Sequence, residues 1–311
     1  MNTSKLTLTK SIATTVLLCG ALAACSGGND SDRGLVEPEP VPMPTPPEAP
    51  TAGQCGKSAI DSSQSCLMIG DRAAITYAPA SQSQYAGVAI FLHGAPGDPI
   101  KVSDIFDAKA IAEKFNLVSI APEGNGSDYE WDSSNNSLAV ISPDIDYLVK
   151  VIDDIQTQYT FTTSKVYIFG YSAGGFMAYK LACRIPDRLT AIISLAGQYR
   201  GNFDNCSTSS PMAIHHMHSQ SDQDVPFSGR ANGNIASVTD TIALWQQKNG
   251  CGAEKELLVQ DGVTESSPKT DTEIYQGCVK SIGLSKLSLV GHEDDYIAEK
   301  LLATYEYLLI D

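Results

Sequence analysis

The sequence predicts one α/β domain over residues 53–311: a mostly parallel central sheet with helices on both faces. Two observations carry that expectation. Short, continuously apolar runs rich in β-branched residues recur along the chain and end in glycine or a turn: "GVAIFLHG", "NLVSIAPEG", "KVYIFGYS", "LTAIISLAG", "PMAIHHMHS" and "KLSLVGH". Strands buried on both faces read this way. Between them lie helical patterns: "DAKAIAEKF", "SPDIDYLVKVIDDIQTQY", "GGFMAYKLAC", "SVTDTIALWQQKNG" and the terminal "EDDYIAEKLLATYEYLL". In the second, Ser142 stands at the cap position and Pro143 at the first helical position. Such alternation requires crossover helices over a parallel sheet. Ligands of such sheets bind beyond the carboxyl ends of the strands, and the candidate residues below fall just after strands.

Two segments precede the domain. Lys5 and Lys10 lead into "SIATTVLLCGALAAC", an apolar stretch too short to span a bilayer and placed as an export signal. Its end, Leu22-Ala23-Ala24-Cys25, resembles the lipobox of bacterial lipoproteins. That resemblance implies a signal over residues 1–24, cleavage before Cys25 and a lipid on its sulfur. More than one acyl chain there anchors a protein stably at a membrane. Ser26, rather than Asp, follows the cysteine, so the expected location is the cell envelope, with the outer membrane favoured. Residues 25–52 turn from Gly, Ser and Asp to closely spaced prolines, a composition that builds no core and reads as a tether.

The remaining length suffices for one well-buried domain. No later apolar run approaches transmembrane length. Removing residues 1–24 takes away two lysines and no acid, so the formal charge goes from −15 to −17. That balance opposes nucleic acid as a partner. Of eight cysteines, six remain once Cys19 and Cys25 are assigned to the signal and the lipid. An even number in an exported chain suggests disulfides. Six allow fifteen pairings, and sequence neighbours suggest Cys55–Cys66, Cys183–Cys206 and Cys251–Cys278. No C-x-x-C pair occurs to support a zinc or redox site.

Gly170-Tyr171-Ser172-Ala173-Gly174 fits G-x-S-x-G with a strand before it and a helix after it. The motif resembles the nucleophile elbow of α/β-hydrolases, in which a sharp turn leaves the serine strained and exposed at its tip. Side chains at Gly170 and Gly174 would collide in that turn. The Ala173 amide, at the helix start, becomes a free donor for an oxyanion.

An elbow serine needs a base, and the base needs an orienting carboxylate. In the α/β-hydrolase order both follow the serine, acid first. Of the five histidines, His93 precedes Ser172, and His215, His216 and His218 lie ahead of the expected acid loop. His292 remains. The loop "HHMHSQSDQDVPF" offers Asp222 and Asp224. Its D-x-x-V-P pattern resembles the acid loop of this fold and selects Asp222, leaving Asp224 to shape the turn. His216 and His218 share one strand face, but no third ligand follows at metal spacing; they read as structural, and no metal is expected.

The turn in "FLHGAPGD" has the H-G-x form of the oxyanion loop. His93 is then structural, and the Ala95 amide joins that of Ala173. Trp131, in a polar loop, reads equally as a wall of the substrate pocket or as a core anchor.

Taken together, "LHGAPGD", "APEGNGSDYEW", "DIDYLVKVIDD", "VYIFGYSAGGFMAYKLAC", "SQSDQDVPF" and "VGH" resemble the secreted hydrolases grouped with polyhydroxybutyrate depolymerases and feruloyl or acetylxylan esterases. Cys183 before "RIPDRLTAIISLAG" and Cys251 in "KNGCG" look like that family too. The family often has Trp-Pro shortly after the catalytic histidine, whereas "GHEDDYIAEK" runs here into a predicted helix. The resemblance implies two-step acyl transfer from short-chain, hydroxyalkanoate or plant cell-wall esters, with no cofactor and no obligate protein partner. A prolyl-oligopeptidase-like peptidase and a non-catalytic binding module on the same fold are the competing readings.

Overall fold

The computed structural model describes residues 53–126, 128, 130–136 and 142–310. The expected signal, the tether and Cys25 lie outside the described residues. A hairpin of β1 (Gly53–Cys55) and β2 (Ser58–Ile60) comes first, followed by β3 (Ser65–Ile69), β4 (Arg72–Tyr77) and β5 (Tyr85–Leu92). Helices α1 (Pro99–Phe106) and α2 (Ala108–Phe115) lead to β6 (Leu117–Pro122), then α3 (Pro143–Gln158), β7 (Phe161–Tyr171) and α4 (Ala173–Arg184). The rest runs through β8 (Ala191–Leu195), β9 (Ala213–Ser219), α5 (Val238–Asn249), β10 (Lys255–Gln260), β11 (Thr270–Tyr275) and β12 (Ile282–Leu287) to α6 (Ala298–Tyr305) and α7 (Tyr307–Ile310).

Ten strands form one sheet in the order β10-β11-β12-β9-β8-β7-β5-β6-β4-β3. The six from β12 to β6 pair in parallel, and antiparallel strands extend both edges. Alternation along each central strand feeds two cores. In β5, Val88, Ile90 and Leu92 join α3, α4 and α5 on one face. Ala89 and Phe91 join α1, α2 and α6 on the other. On that second face Phe91 stacks on Phe169 at 4.6 Å, and Phe106 and Tyr305 pack edge-on around Phe169. This is an α/β-hydrolase fold.

The pairs Cys55–Cys66, Cys183–Cys206 and Cys251–Cys278 are bonded. Three elements depart from the sequence expectation. The strand read in "KLSLVGH" ends at Leu287; its last residues form a loop in which exposed Leu289 has φ +55°. The terminal helix begins only at Ala298, so His292 is followed by a loop rather than a helix. Ser142 caps α3 by position, but its hydroxyl donates to Asp132 Oδ2 at 2.9 Å instead of to the helix.

Candidate active site

Strand β7 ends at Tyr171, α4 begins at Ala173, and Ser172 between them has φ +54° and ψ −115°. Few residues other than glycine adopt such a backbone, and holding one there costs of order 1–3 kcal/mol. Its surroundings enforce it. The Ser172 amide donates to Leu195 O of β8 at 2.9 Å, and its carbonyl accepts from Phe176 N of α4 at 3.1 Å. A Cβ on Gly174 would stand 1.9 Å from Leu92 O of β5, and one on Gly170 2.3 Å from Gly174 O. The elbow closes only because both positions are bare.

His292 Nε2 lies 2.8 Å from Ser172 Oγ, and His292 Nδ1 lies 2.7 Å from Asp222 Oδ2. All three residues are buried, with only a few per cent of their surface exposed. Asp222 Oδ1 accepts from the amides of Asp224 at 3.0 Å and Val225 at 2.8 Å. Burial pushes the Asp222 carboxyl up, but the hydrogen bonds from His292 and Val225 outweigh it and hold it below the usual range. An ionised Asp222 accepts a hydrogen bond from His292 Nδ1–H, which keeps that proton on Nδ1 and leaves Nε2 bare to receive the serine proton. Asp224, the alternative acid, is exposed and lends this group only its amide.

The segment carrying Ala95 runs beside the serine. A Cβ on Gly94 would lie 3.4 Å from Ser172 Cβ and 3.3 Å from the Tyr171 ring. His93 Nε2 accepts from Gly124 N at 2.9 Å, so its proton sits on Nδ1 and is donated to Gly94 O at 2.6 Å. Burial lowers the His93 pKa and keeps the ring neutral. Trp131 donates through Nε1 to His93 O at 2.9 Å, its ring 4.9 Å from that of His93, with 6% of its surface exposed. Trp131 is thus buried beneath this loop and bonded to it. The amide of Ala173, in the first turn of α4, belongs to the set that helices leave without an intrahelical acceptor.

Two contacts were not legible in the sequence. The Tyr171 hydroxyl lies 2.7 Å from His292 O and 3.0 Å from Glu293 Oε1, and its ring stacks on the His292 imidazole at 5.4 Å. Glu293 in turn pairs with Lys101. The second is a line of buried imidazoles behind the acid. His218 Nε2 reaches Val225 O at 2.8 Å and lies 3.5 Å from Asp222 Oδ2. A carbonyl only accepts, so His218 carries its proton on Nε2. Its Nδ1 therefore accepts from His216 Nε2 at 3.1 Å, and His216 Nδ1 accepts from the Tyr179 hydroxyl at 3.1 Å. Every lone pair in the line is occupied. Desolvation holds His216 well below its ordinary pKa and His218 at about 4. The only sequence signal was the placement of His218 four residues before Asp222.

A family model described as phospholipase/carboxylesterase matches residues 76–236. Over 215 residues the chain is 24% identical to the bifunctional acetylxylan esterase/xylanase XynS20E of Neocallimastix patriciarum, covering 69% of this chain and 30% of that protein. It is 31% identical over 136 residues to a poly(3-hydroxybutyrate) depolymerase of Ralstonia pickettii, covering 39% of this chain and 28% of that one. The chain thus spans less than a third of the length of either relative. An acetyl xylan esterase from Aspergillus awamori has the same fold, with a TM-score of 0.59 at 15% identity, over 79% of this chain and 98% of that one.

Proposed function

Because the chain belongs to the phospholipase/carboxylesterase family, we propose that it is a carboxylic-ester hydrolase working through Ser172, His292 and Asp222. The reading rests on the unbroken line from Ser172 Oγ to His292 Nε2, 2.8 Å, and from His292 Nδ1 to Asp222 Oδ2, 2.7 Å, ending at a strained serine. Ser172 Oγ attacks the ester carbonyl as its proton passes to His292 Nε2. The imidazolium is held by Asp222 and returns the proton to the leaving alkoxide. Water then repeats the sequence on the acyl-enzyme, releasing the acid and restoring Ser172. The amides of Ala95 and Ala173 donate to the oxyanion of both tetrahedral intermediates, a contribution of several kcal/mol in such sites.

The candidate substrates are short-chain, hydroxyalkanoate or feruloyl and acetyl esters; the acetyl and hydroxybutyrate classes are in keeping with the names of the relatives above. A groove of about 460 Å³ beside the His292 loop is lined by Asp98, Asp104, Glu293, Asp294 and Asp295, with Lys101 as its cation. That charge balance disfavours esters carrying a free carboxylate. Residues 1–24 act as an export signal and Cys25 as a lipid anchor in the envelope; globomycin or Cys25→Ser should release the protein, and unchanged membrane association would refute lipidation there.

Ser172→Ala should abolish hydrolysis of p-nitrophenyl acetate and labelling by a fluorophosphonate while leaving the circular dichroism unchanged. A mutant of comparable activity would sink the assignment. Comparison of acetate, butyrate and octanoate esters with methyl ferulate and with amide substrates then orders the substrate classes; preference for amides would select a peptidase instead.

A further inference from the structure

Strand β10 is the outermost strand at one end of the ten-stranded sheet, paired only through β11. It is also the strand with the least cover. Leu257, Leu258 and Val259 are 66%, 40% and 72% exposed, among the most exposed large apolar side chains of the described residues. An uncovered edge offers a row of free amides and carbonyls, and natural proteins blunt such edges with charge, proline or a bulge. None of these interrupts the centre of β10. One face of the strand turns towards α6, where Gln260 Nε2 donates to Ala303 O. On the opposite face the side chains of Leu257 and Val259 stand bare.

We propose that β10 is a homodimer interface, in which two copies pair antiparallel through this edge and join their sheets. The stretch Lys255-Glu256-Leu257-Leu258-Val259-Gln260-Asp261 is self-complementary about Leu258. A two-fold axis perpendicular to the sheet there sets Leu258 against Leu258 and Leu257 against Val259 twice. It also sets Glu256 against Gln260 and Lys255 against Asp261 twice. Directly opposed apolar and opposite-charge pairs are the favourable cross-strand contacts. Shifting the axis to Leu257 puts Lys255 against Val259 and Glu256 against Leu258. Shifting it to Val259 puts Leu257 against Asp261. The Leu258 register alone matches apolar with apolar and charge with charge. Both charges stand ready at the rim. Asp261 is 84% exposed and holds Lys300 only loosely, at 3.5 Å. The Lys255 side chain, 39% exposed, sits 2.8 Å from Glu273 of its own copy. A two-fold contact of this kind closes on itself and stops at two copies.

The test is the mass of the purified protein by sedimentation equilibrium. The parent should be dimeric at high concentration. Leu258→Lys opposes two ammonium groups across the axis and should weaken the dimer by roughly 100-fold or more, as like charges in contact do. Lys255→Asp alone, opposing Asp261, should weaken it as well. The exchange Lys255→Asp with Asp261→Lys should restore it. Leu258→Cys should form a disulfide-linked dimer on mild oxidation, because directly paired residues bring their Cα atoms to about 4.5–5.5 Å; Glu256→Cys should not. Fluorophosphonate labelling equal to that of the parent shows that each variant is folded. A parent that is monomeric at its highest soluble concentration, or a dimer indifferent to Leu258→Lys, overturns the proposal.

Discussion

Asp222 gathers donors on both oxygens: two loop amides on Oδ1, and the His292 imidazole with the more distant His218 ring on Oδ2. Asp222→Asn presents an amide N–H or a weaker acceptor to His292 and favours the wrong tautomer. Its kcat for a short-chain ester should fall by roughly 10⁴, whereas Asp224→Asn, which keeps its own amide in place, should remain close to the parent. The reverse result would move the acid to Asp224. His218→Phe removes the donor to Val225 O and leaves His216 Nε2–H without its acceptor; kcat should drop roughly 10- to 100-fold through misplacement of the acid loop, with KM little changed. Ser172→Gly, finally, relieves a backbone strain of order 1–3 kcal/mol against a glycine entropy cost of about 0.5–1 kcal/mol. This inactive variant should therefore be more resistant to urea than the parent, and a lower midpoint would mean the elbow is unstrained.

At the level of elements, the site depends on a short loop held by a charge network whose inner members, Lys180 and Asp144, are buried. Asp132 accepts from Lys180 Nζ at 2.9 Å and from Ser142, while its amide donates to Asp144, itself paired with Arg72 at 2.6 Å. The network ties the loop carrying Trp131 to β4, α3 and α4, and Trp131 ties it to His93. Trp131→Phe keeps the ring and loses the hydrogen bond to His93 O. Its kcat should fall roughly tenfold or more with KM nearly unchanged, because the loop proposed to supply the Ala95 amide loses its anchor; a rise in KM alone would place Trp131 at the substrate pocket. The core strands and the elbow were legible because continuous apolar runs and a glycine-flanked serine leave little choice of conformation. The β10–β11 hairpin was not, since its outer strand is exposed and carries no burial pattern. The start of α6 was missed for the opposite reason: "EDDYI" has helical composition, yet Ile297 N is drawn to Val263 O at 2.8 Å and the helix begins after it. Trp131 and Tyr171 act through partners far away in sequence, which no local pattern records.

Across the whole molecule, four of the five histidines are buried neutral and have lowered pKa values: His93, His215 at about 3, His216, and His218 at about 4. Desolvation is the leading cause for each. In the unfolded chain they titrate near 6.5, so the unfolded state takes up protons that the native state refuses. Stability should be level above about pH 6.5 and fall as pH drops towards about 4, by several kcal/mol in sum at about 1.4 kcal/mol per pKa unit. The urea midpoint should already decline between about pH 6.5 and pH 5, above the range of the carboxylates; a flat midpoint there would show that these rings are hydrated. The elbow has a different consequence for motion. Ser172 N is bonded into β8, and Gly174 presses on β5, so the nucleophile is fastened to three adjacent strands at the middle of the sheet. Its amide can exchange with deuterium only when the sheet itself comes apart, and should fall in the slowest class. The exposed Ala95 segment is anchored through Trp131 rather than between strands of the sheet and should exchange sooner. On the proposed mechanism, adjustment to substrates of different shape belongs to the Ala95 loop, while Ser172 stays where the sheet holds it.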